Sequence, residues 1–262
     1  MSLYELILLF VSIFPVFLIG RYIYKADKNK EPGKLLVKLF LGGIGSCFLV
    51  LIVTWILEAT SPIFSANIND LTFFELIVNV FIGVALVEES CKWIMAYSIS
   101  YNKDDFDELY DAILYCMFVS LGFACLENVL YVFQGGIGTG LLRAFLAVPG
   151  HACDGVFMGY YLGVAKISEL NGRQDLKRKN IILSIVAPTI THGIYDFCLF
   201  TGSSLFVILF FVFVIWMYIY AVKKIKKISS LNRKMKYKDN YCPICGRRVE
   251  SNYCPNCGRK HE

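Results

Sequence analysis

The sequence predicts an all-α, polytopic membrane helix bundle of about seven spans with a small C-terminal zinc ribbon, and three observations predict it. The 262 residues are 56% hydrophobic and only 18% charged, with a mean hydropathy of +0.56, which is too apolar for a water-soluble domain of this length. The apolar residues gather into runs long enough to cross a ~30 Å hydrocarbon layer as helices rising 1.5 Å per residue. The last part of the chain abandons that pattern for two cysteine pairs, Cys242/Cys245 and Cys254/Cys257.

Taken in order, the runs lie near 3–20, 35–57, 73–100, 108–133, 141–165, 181–200 and 205–222. None alternates with period two, and lipid leaves no backbone polar group unpaired, so helices rather than barrel strands are expected. The first run has no positive charge before it and no small-residue cleavage pattern after it, which fits a retained span better than a secretory leader. Arg21, Lys25, Lys28 and Lys30 follow it instead.

Lys and Arg number five in 21–34, one in 101–107, five in 166–180 and twelve from Lys223 onward, while 58–70, 134–140 and 201–204 hold none. The positive-inside rule then places the N-terminus outside and the C-terminus in the cytoplasm of a multi-pass cell-membrane protein, as an odd number of spans requires. The net charge of +5 comes from residues that punctuate apolar runs. It points to membrane lipid as a partner and not to nucleic acid.

Residues 1–222 therefore form the helical domain, 223–240 a basic linker and 241–262 the ribbon. Some linker residues near the membrane can touch anionic headgroups, at about 1 kcal/mol per Lys or Arg. In the ribbon, Cys242-Pro243-Ile244-Cys245-Gly246 and Cys254-Pro255-Asn256-Cys257-Gly258 form two knuckles that aim four thiolates at one point, the donor set of a structural zinc. Four cysteine ligands leave no position open for a substrate, so this zinc would organise a module that docks a cytoplasmic partner. The tail has too little apolar sequence to fold without metal.

Chemistry is expected where the sequence breaks the membrane's rules. Spans three to six contain Glu88, Glu89, Lys92, Glu127, His151, Asp154, His192 and Asp196. At ~2.5–3.5 kcal/mol each, the six carboxylate and ammonium groups would cost roughly 15–21 kcal/mol if each met lipid alone. They are expected to converge, and an ionisable cluster inside a bundle is a functional-site hypothesis by default.

Lys92 lies one helical turn beyond both Glu88 and Glu89, the favourable order for a helical ion pair. Adjacent residues diverge by about 100°, so one glutamate faces a shared pocket while its neighbour braces it. Two carboxylates charged at ~4 Å would repel by about 4 kcal/mol at an effective dielectric of 20, so a proton or the lysine must relieve them. A carboxylate held this way is suited to general-base attack by water. His192 and Asp196 are again one turn apart, an acceptor placed to fix an imidazole. Glu75, Glu108 and Asp111 sit near span ends and read as a solvated face. Arg143 reads equally as a snorkelling anchor or an oxyanion helper.

The four motifs Glu88-Glu89-x-x-Lys92, Leu121-Gly122-Phe123-Ala124-x-x-Glu127-Asn128-x-Leu130-Tyr131, Arg143-Ala144-x-x-Ala147-x-Pro149-x-His151 and His192-Gly193-x-Tyr195-Asp196-Phe197 together resemble the PrsW family of intramembrane proteases. The resemblance extends to Asp107-Glu108, Asp111 and Met158–Gly163, covers roughly residues 70–200, and leaves out the first two spans and the ribbon. It implies a peptidase that cuts a single-span, membrane-anchored protein, such as an anti-sigma factor, on the outer side of the membrane. It is similar more distantly to the CAAX prenyl proteases, which use a Glu pair, two His and an Asn.

On this chain the resemblance implies that Glu88 or Glu89 activates water, Lys92 steadies the pair, His151 and His192 stabilise the oxyanion, and Glu127 and Asp196 orient them or relay protons. Asp196 stands where the prenyl proteases carry Asn, and Glu127 where they carry His, so prenyl-protein processing is not expected. Two His with a Glu also make a catalytic zinc set, so a metal-dependent hydrolysis stays open beside a metal-free one. No His-Glu-x-x-His and no Gly-x-Ser-Gly occurs. A transporter or a noncatalytic receptor would also collect buried acids and histidines, but no inverted repeat accompanies them.

Overall fold

The computed structural model describes residues 2–231, which are helical almost throughout and contain no strand. Helix α1 (Leu3–Ala26) begins at a capping box in which Ser2 and Glu5 satisfy each other's backbone N–H. Helix α2 (Gly33–Thr60) follows a short loop, and a four-residue helix and a 3-10 turn then lead to α3. Helix α3, spanning 73–100, is α-helical over Phe73–Val78, π-helical over Asn79–Leu86 and α-helical again over Val87–Ser100. The remaining helices are α4 (Leu109–Phe145), α5 (Ala147–Leu170), α6 (Gln174–Phe200) and α7 (Ser204–Leu231).

Five segments are long and apolar enough to cross a membrane by length and composition, one of them the 62-residue Leu109–Leu170. At 1.5 Å per residue, 62 residues would reach roughly 90 Å, three times the apolar layer. The segment in fact divides at Leu146 into α4 and α5. With α3, whose middle turn is wound as π-helix, the described residues hold seven long helices, the number that the apolar runs predicted.

Helix α4 is the axis. Its residues from Tyr110 to Cys125, Phe118 excepted, are buried, and α5 packs along it through a stripe of glycines. A Cβ on Gly159 would stand 2.5 Å from the Ala112 carbonyl oxygen and the Ile113 Cα, and one on Gly155 2.9 Å from the Met117 Cα. This is the close small-residue contact that helices use where lipid offers no hydrophobic drive. Helices α1 and α2 cover the other side of α4, while α6 packs on α5 and α3. Outward faces carry large apolar side chains such as Phe10, Leu51, Trp55 and Trp216, as a lipid-facing surface does.

Several boundaries differ from the sequence expectation: α1 runs on to Ala26 rather than ending near 20, and α6 begins at Gln174 rather than near 181. Residues 134–140, expected as a loop, are helical, because α4 continues to Phe145 across a kink at Gly136, whose φ of 75° and ψ of −169° suit only glycine. Span five correspondingly begins at Ala147 rather than near 141. Helix α7 runs past Val222 to Leu231, into the stretch assigned to the linker. The rest of the linker and the ribbon, with Cys242, Cys245, Cys254 and Cys257, lie outside the described residues.

Glu108 and Asp111, expected on a solvated face, are 3% and 0% exposed. Both cap α4: the Asp111 carboxylate accepts from the backbone N–H of Asp107 and Glu108, and Asn29 donates to Glu108. The α1–α2 loop is tied to the same corner, where the Tyr115 hydroxyl donates to Glu31. Burial, with the nearby charges of Asp27, Asp105 and Asp107, pushes the Glu31 carboxyl up to about 7 against the lowering effect of that hydroxyl. A helix start buried this deeply needs side-chain acceptors for its free N–H groups, which is why carboxylates stand there.

Candidate active site

The site is assembled on four helices, and α3 supplies its centre. The π-helical turn Asn79–Leu86 ends just before Glu88 and Glu89. Such turns occur often beside functional residues because the extra residue re-aims the side chains of the next turn. Asn79 pins this turn by donating to the Ile63 carbonyl at 2.8 Å. From α3 the two glutamates point to the gap between α4, α5 and α6.

Lys92 is fully buried, and its ammonium donates to Glu88 Oε2 at 3.2 Å and to Glu89 Oε1 at 2.8 Å. Its third contact is His151 Nδ1 at 3.2 Å, and its charge lies 4.0 Å above the Phe123 ring. An ammonium has three N–H groups and no lone pair, so His151 Nδ1 must accept. His151 is therefore the Nε2–H tautomer, and that nitrogen donates to Glu127 Oε2 at 2.8 Å. Arg143 closes this arm, donating from Nη2 to the same Glu127 oxygen at 2.6 Å and from Nε to Asn128 Oδ1 at 2.9 Å. Asn128 in turn donates to the Ser12 carbonyl of α1 at 2.7 Å.

The second arm descends from α6. His192 Nδ1 lies 2.9 Å from Glu89 Oε1, while Nε2 lies 3.3 Å from Asp196 Oδ2 and 3.9 Å from Glu88 Oε2. Pro188, four residues before His192, has no N–H, which leaves the Ser184 carbonyl without its helical donor, and in the turn that follows the Thr191 hydroxyl donates across to Asp154 Oδ1 at 2.6 Å. Asp154, three residues after His151, is thereby a bracing acceptor between α5 and α6.

All seven residues expected from the sequence meet here: Glu88, Glu89, Lys92, Glu127, His151, His192 and Asp196. The two glutamates divide as helical geometry requires. Glu89 is completely buried and is held by Lys92 and His192, whereas the Glu88 side chain keeps 13% of its surface exposed and lines a cavity of about 460 Å³. Glu127, His151, His192 and Asp196 line the same cavity, and Leu142, Leu146, Leu199 and Phe200 add apolar wall. Sequence reasoning left Arg143 undecided, quoted Asn128 within a motif without giving it a role, and passed over Thr191. Asn128 and Thr191 are polar residues inside apolar runs, each next to a singled-out group, Glu127 and His192, and that was the available signal; Arg143 had no such neighbour.

Glu88, Glu89, His151 and His192 each offer a ligand atom within 4.8 Å of the others, a group of the donor types that hold a metal ion. The Lys92 ammonium stands among them, within 3.2 Å of three of the four residues. An ion bound by all four would have to displace that ammonium. A second positive charge at ~4 Å would otherwise meet about 4 kcal/mol of repulsion at an effective dielectric of 20. The donor set suits a metal, but the residues as arranged do not fit one while Lys92 keeps its place.

Comparison with known proteins places the chain in a family. Residues 31–222 match the family described as PrsW family intramembrane metalloprotease. Protease PrsW of Oceanobacillus iheyensis is 36% identical over 223 residues, covering 85% of this chain and 96% of the relative. Protease PrsW of Bacillus subtilis is 35% identical over 212 residues, 80% and 90% of the two chains. Protease PrsW of Clostridioides difficile is 29% identical over 236 residues, 88% and 95%. No solved structure gives a significant match. The similarity is wider than the motifs indicated, since it takes in α2 and α7 as well as α3 to α6.

Proposed function

The chain belongs to the PrsW family of intramembrane proteases, and from that membership we propose that Glu88 is the general base of peptide-bond hydrolysis in the cavity between α3, α4, α5 and α6. A multi-pass membrane peptidase leaves no place for the transporter and receptor readings. The observation that carries the assignment is the division of labour between the glutamates: Glu88 borders the cavity, and Glu89 is sealed behind it on Lys92 and His192.

In this reading a water in the cavity gives its proton to Glu88, and its oxygen attacks the scissile carbonyl carbon. The oxyanion forms beside His192 Nε2, which lies between Glu88 and Asp196 and stabilises it by hydrogen bonding. Collapse breaks the C–N bond, and the proton held by Glu88 passes to the leaving amine nitrogen. Lys92 keeps the two carboxylates together by donating to both. The Arg143–Glu127–His151 arm holds His151 Nδ1 against the ammonium, so the positive charge stays fixed while negative charge moves.

The position of Lys92 supports a reaction without a catalytic metal. A zinc-dependent reading is favoured by the four donors of Glu88, Glu89, His151 and His192, and it requires the ammonium to leave. The substrate we infer is a single-span membrane protein, such as an anti-sigma factor, cut near its extracytoplasmic boundary. The chain's orientation would be N-terminus out and C-terminus in, and the ribbon, through Cys242, Cys245, Cys254 and Cys257, would hold one structural zinc and dock a cytoplasmic partner.

Glu88→Gln, Glu89→Gln and His192→Ala test the assignment on folded, membrane-inserted protein with a single-span substrate. Loss of a general base lowers the rate by roughly 10²–10⁴, and that drop is expected for Glu88→Gln. Undiminished cleavage in all three variants would refute the catalytic assignment. Membrane-protein fragments present in cells with the normal enzyme and missing in cells with Glu88→Gln would identify the substrate.

A further inference from the structure

A second cavity, of about 390 Å³, lies between α1, α2 and α4. Phe118 and Leu121 form its α4 wall, and at 100° per residue they face roughly opposite to Phe123 and Glu127, which serve the active site. Ile13, Val16 and Phe17 of α1 and Phe40 of α2 complete an apolar trough, with Gly20 contributing no side chain. Arg21 and Tyr24 border one end. Arg21 makes no hydrogen bond or ion pair among the described residues, and it opens the basic stretch that continues with Lys25, Lys28 and Lys30.

We propose that this crevice binds one anionic glycerophospholipid, an acyl chain lying along α1 and its phosphate on Arg21. The lining matches both halves of that molecule: hydrocarbon along the trough, and an unpaired guanidinium where the first apolar run ends. Basic pockets between spans are a recurring form of anionic-lipid site. The cavity's size selects a chain over a helix. A helix with side chains is about 10 Å across and rises 5.4 Å per turn, so roughly one turn would fill the space, whereas an acyl chain is far thinner.

The test uses the full-length chain in detergent, titrated separately with dioleoyl phosphatidylglycerol and dioleoyl phosphatidylcholine and read by native mass spectrometry. One lipid per chain is expected, with phosphatidylglycerol favoured about five-fold, the equivalent of ~1 kcal/mol from one Arg. Arg21→Gln should bring the two lipids to parity. Gly20→Leu should weaken both: a Cβ there meets only the Leu121 Cδ1, at 3.7 Å, so the longer side chain extends into the trough without a clash. Ile13→Trp is a second filling variant, to be used if Gly20→Leu loses helicity by circular dichroism. An unchanged preference in Arg21→Gln, undiminished binding in the filled variant, or displacement of phosphatidylglycerol by a single-span substrate peptide would overturn the proposal.

Discussion

Lys92 is the residue on which the buried charges depend. It is fully buried and touches Glu88, Glu89 and His151, so removing it leaves two neighbouring, largely buried carboxylates without their shared counter-charge. Breaking a buried pair by deleting one partner costs roughly 3–5 kcal/mol, while replacing the whole set by apolar groups can be nearly neutral. Lys92→Met is therefore expected to lower the melting temperature in detergent sharply, and Lys92→Met combined with Glu89→Gln to lower it less than Lys92→Met alone. A double variant as unstable as the sum of the two single variants would show that the lysine and the glutamate act independently. Spacing alone announced the Lys92 pairing, because three- and four-residue offsets on one helix are a local property. Its contact with His151 joins residues 59 positions apart, and no local pattern encodes that.

At the scale of elements, the site depends on how close α5 comes to α4. Gly155, Gly159 and Gly163 let the two backbones meet, and His151 sits one turn before the first of them on α5. Gly159→Val would set its side chain against the Ala112 carbonyl and Ile113, and overpacking of this kind costs typically 1–3 kcal/mol. It should lower both the melting temperature and the cleavage rate, because helices forced apart move His151 away from Lys92. Gly138→Ala is the matched control: a Cβ there meets nothing within 4 Å, and it should leave both unchanged. Equal loss in the two variants would show that the stripe is not the close contact described. The four-residue spacing of Gly155, Gly159 and Gly163 puts them on one helix face, and small residues on one face of a membrane helix are a local signature of close packing. The kink at Gly136 was not legible in the sequence, since three neighbouring glycines in 135–138 read as a loop when the backbone in fact stays helical on both sides of one positive-φ residue.

At the scale of the molecule, hydropathy was enough to foresee a membrane helix bundle with seven long helices among the described residues, because lipid allows few alternatives to a helix of fixed length. The convergence of Glu88, Glu127, His151 and His192 was also foreseeable, since isolated charges in lipid are too costly to scatter. The partners that aim these groups were harder to see: Arg143 comes from the far side of the Gly136 kink, and its route back to Glu127 exists only in three dimensions. The number of metal ions the whole chain needs is a property of this scale too. On the proposal that the four cysteines of residues 241–262 hold a structural zinc, and with Lys92 within 3.2 Å of Glu88, Glu89 and His151 where a second ion would sit, the full chain is expected to carry about one zinc. Truncation after Lys238 should then remove the zinc and leave peptide-bond cleavage resistant to chelators, because the hydrolytic groups hold their geometry through Lys92. Elemental analysis and a cleavage assay on the same truncated preparation decide the matter. Stoichiometric zinc that survives truncation, together with activity lost on chelation and restored by zinc, would mean that the ammonium gives way to an ion and that Glu88, Glu89, His151 and His192 act as ligands.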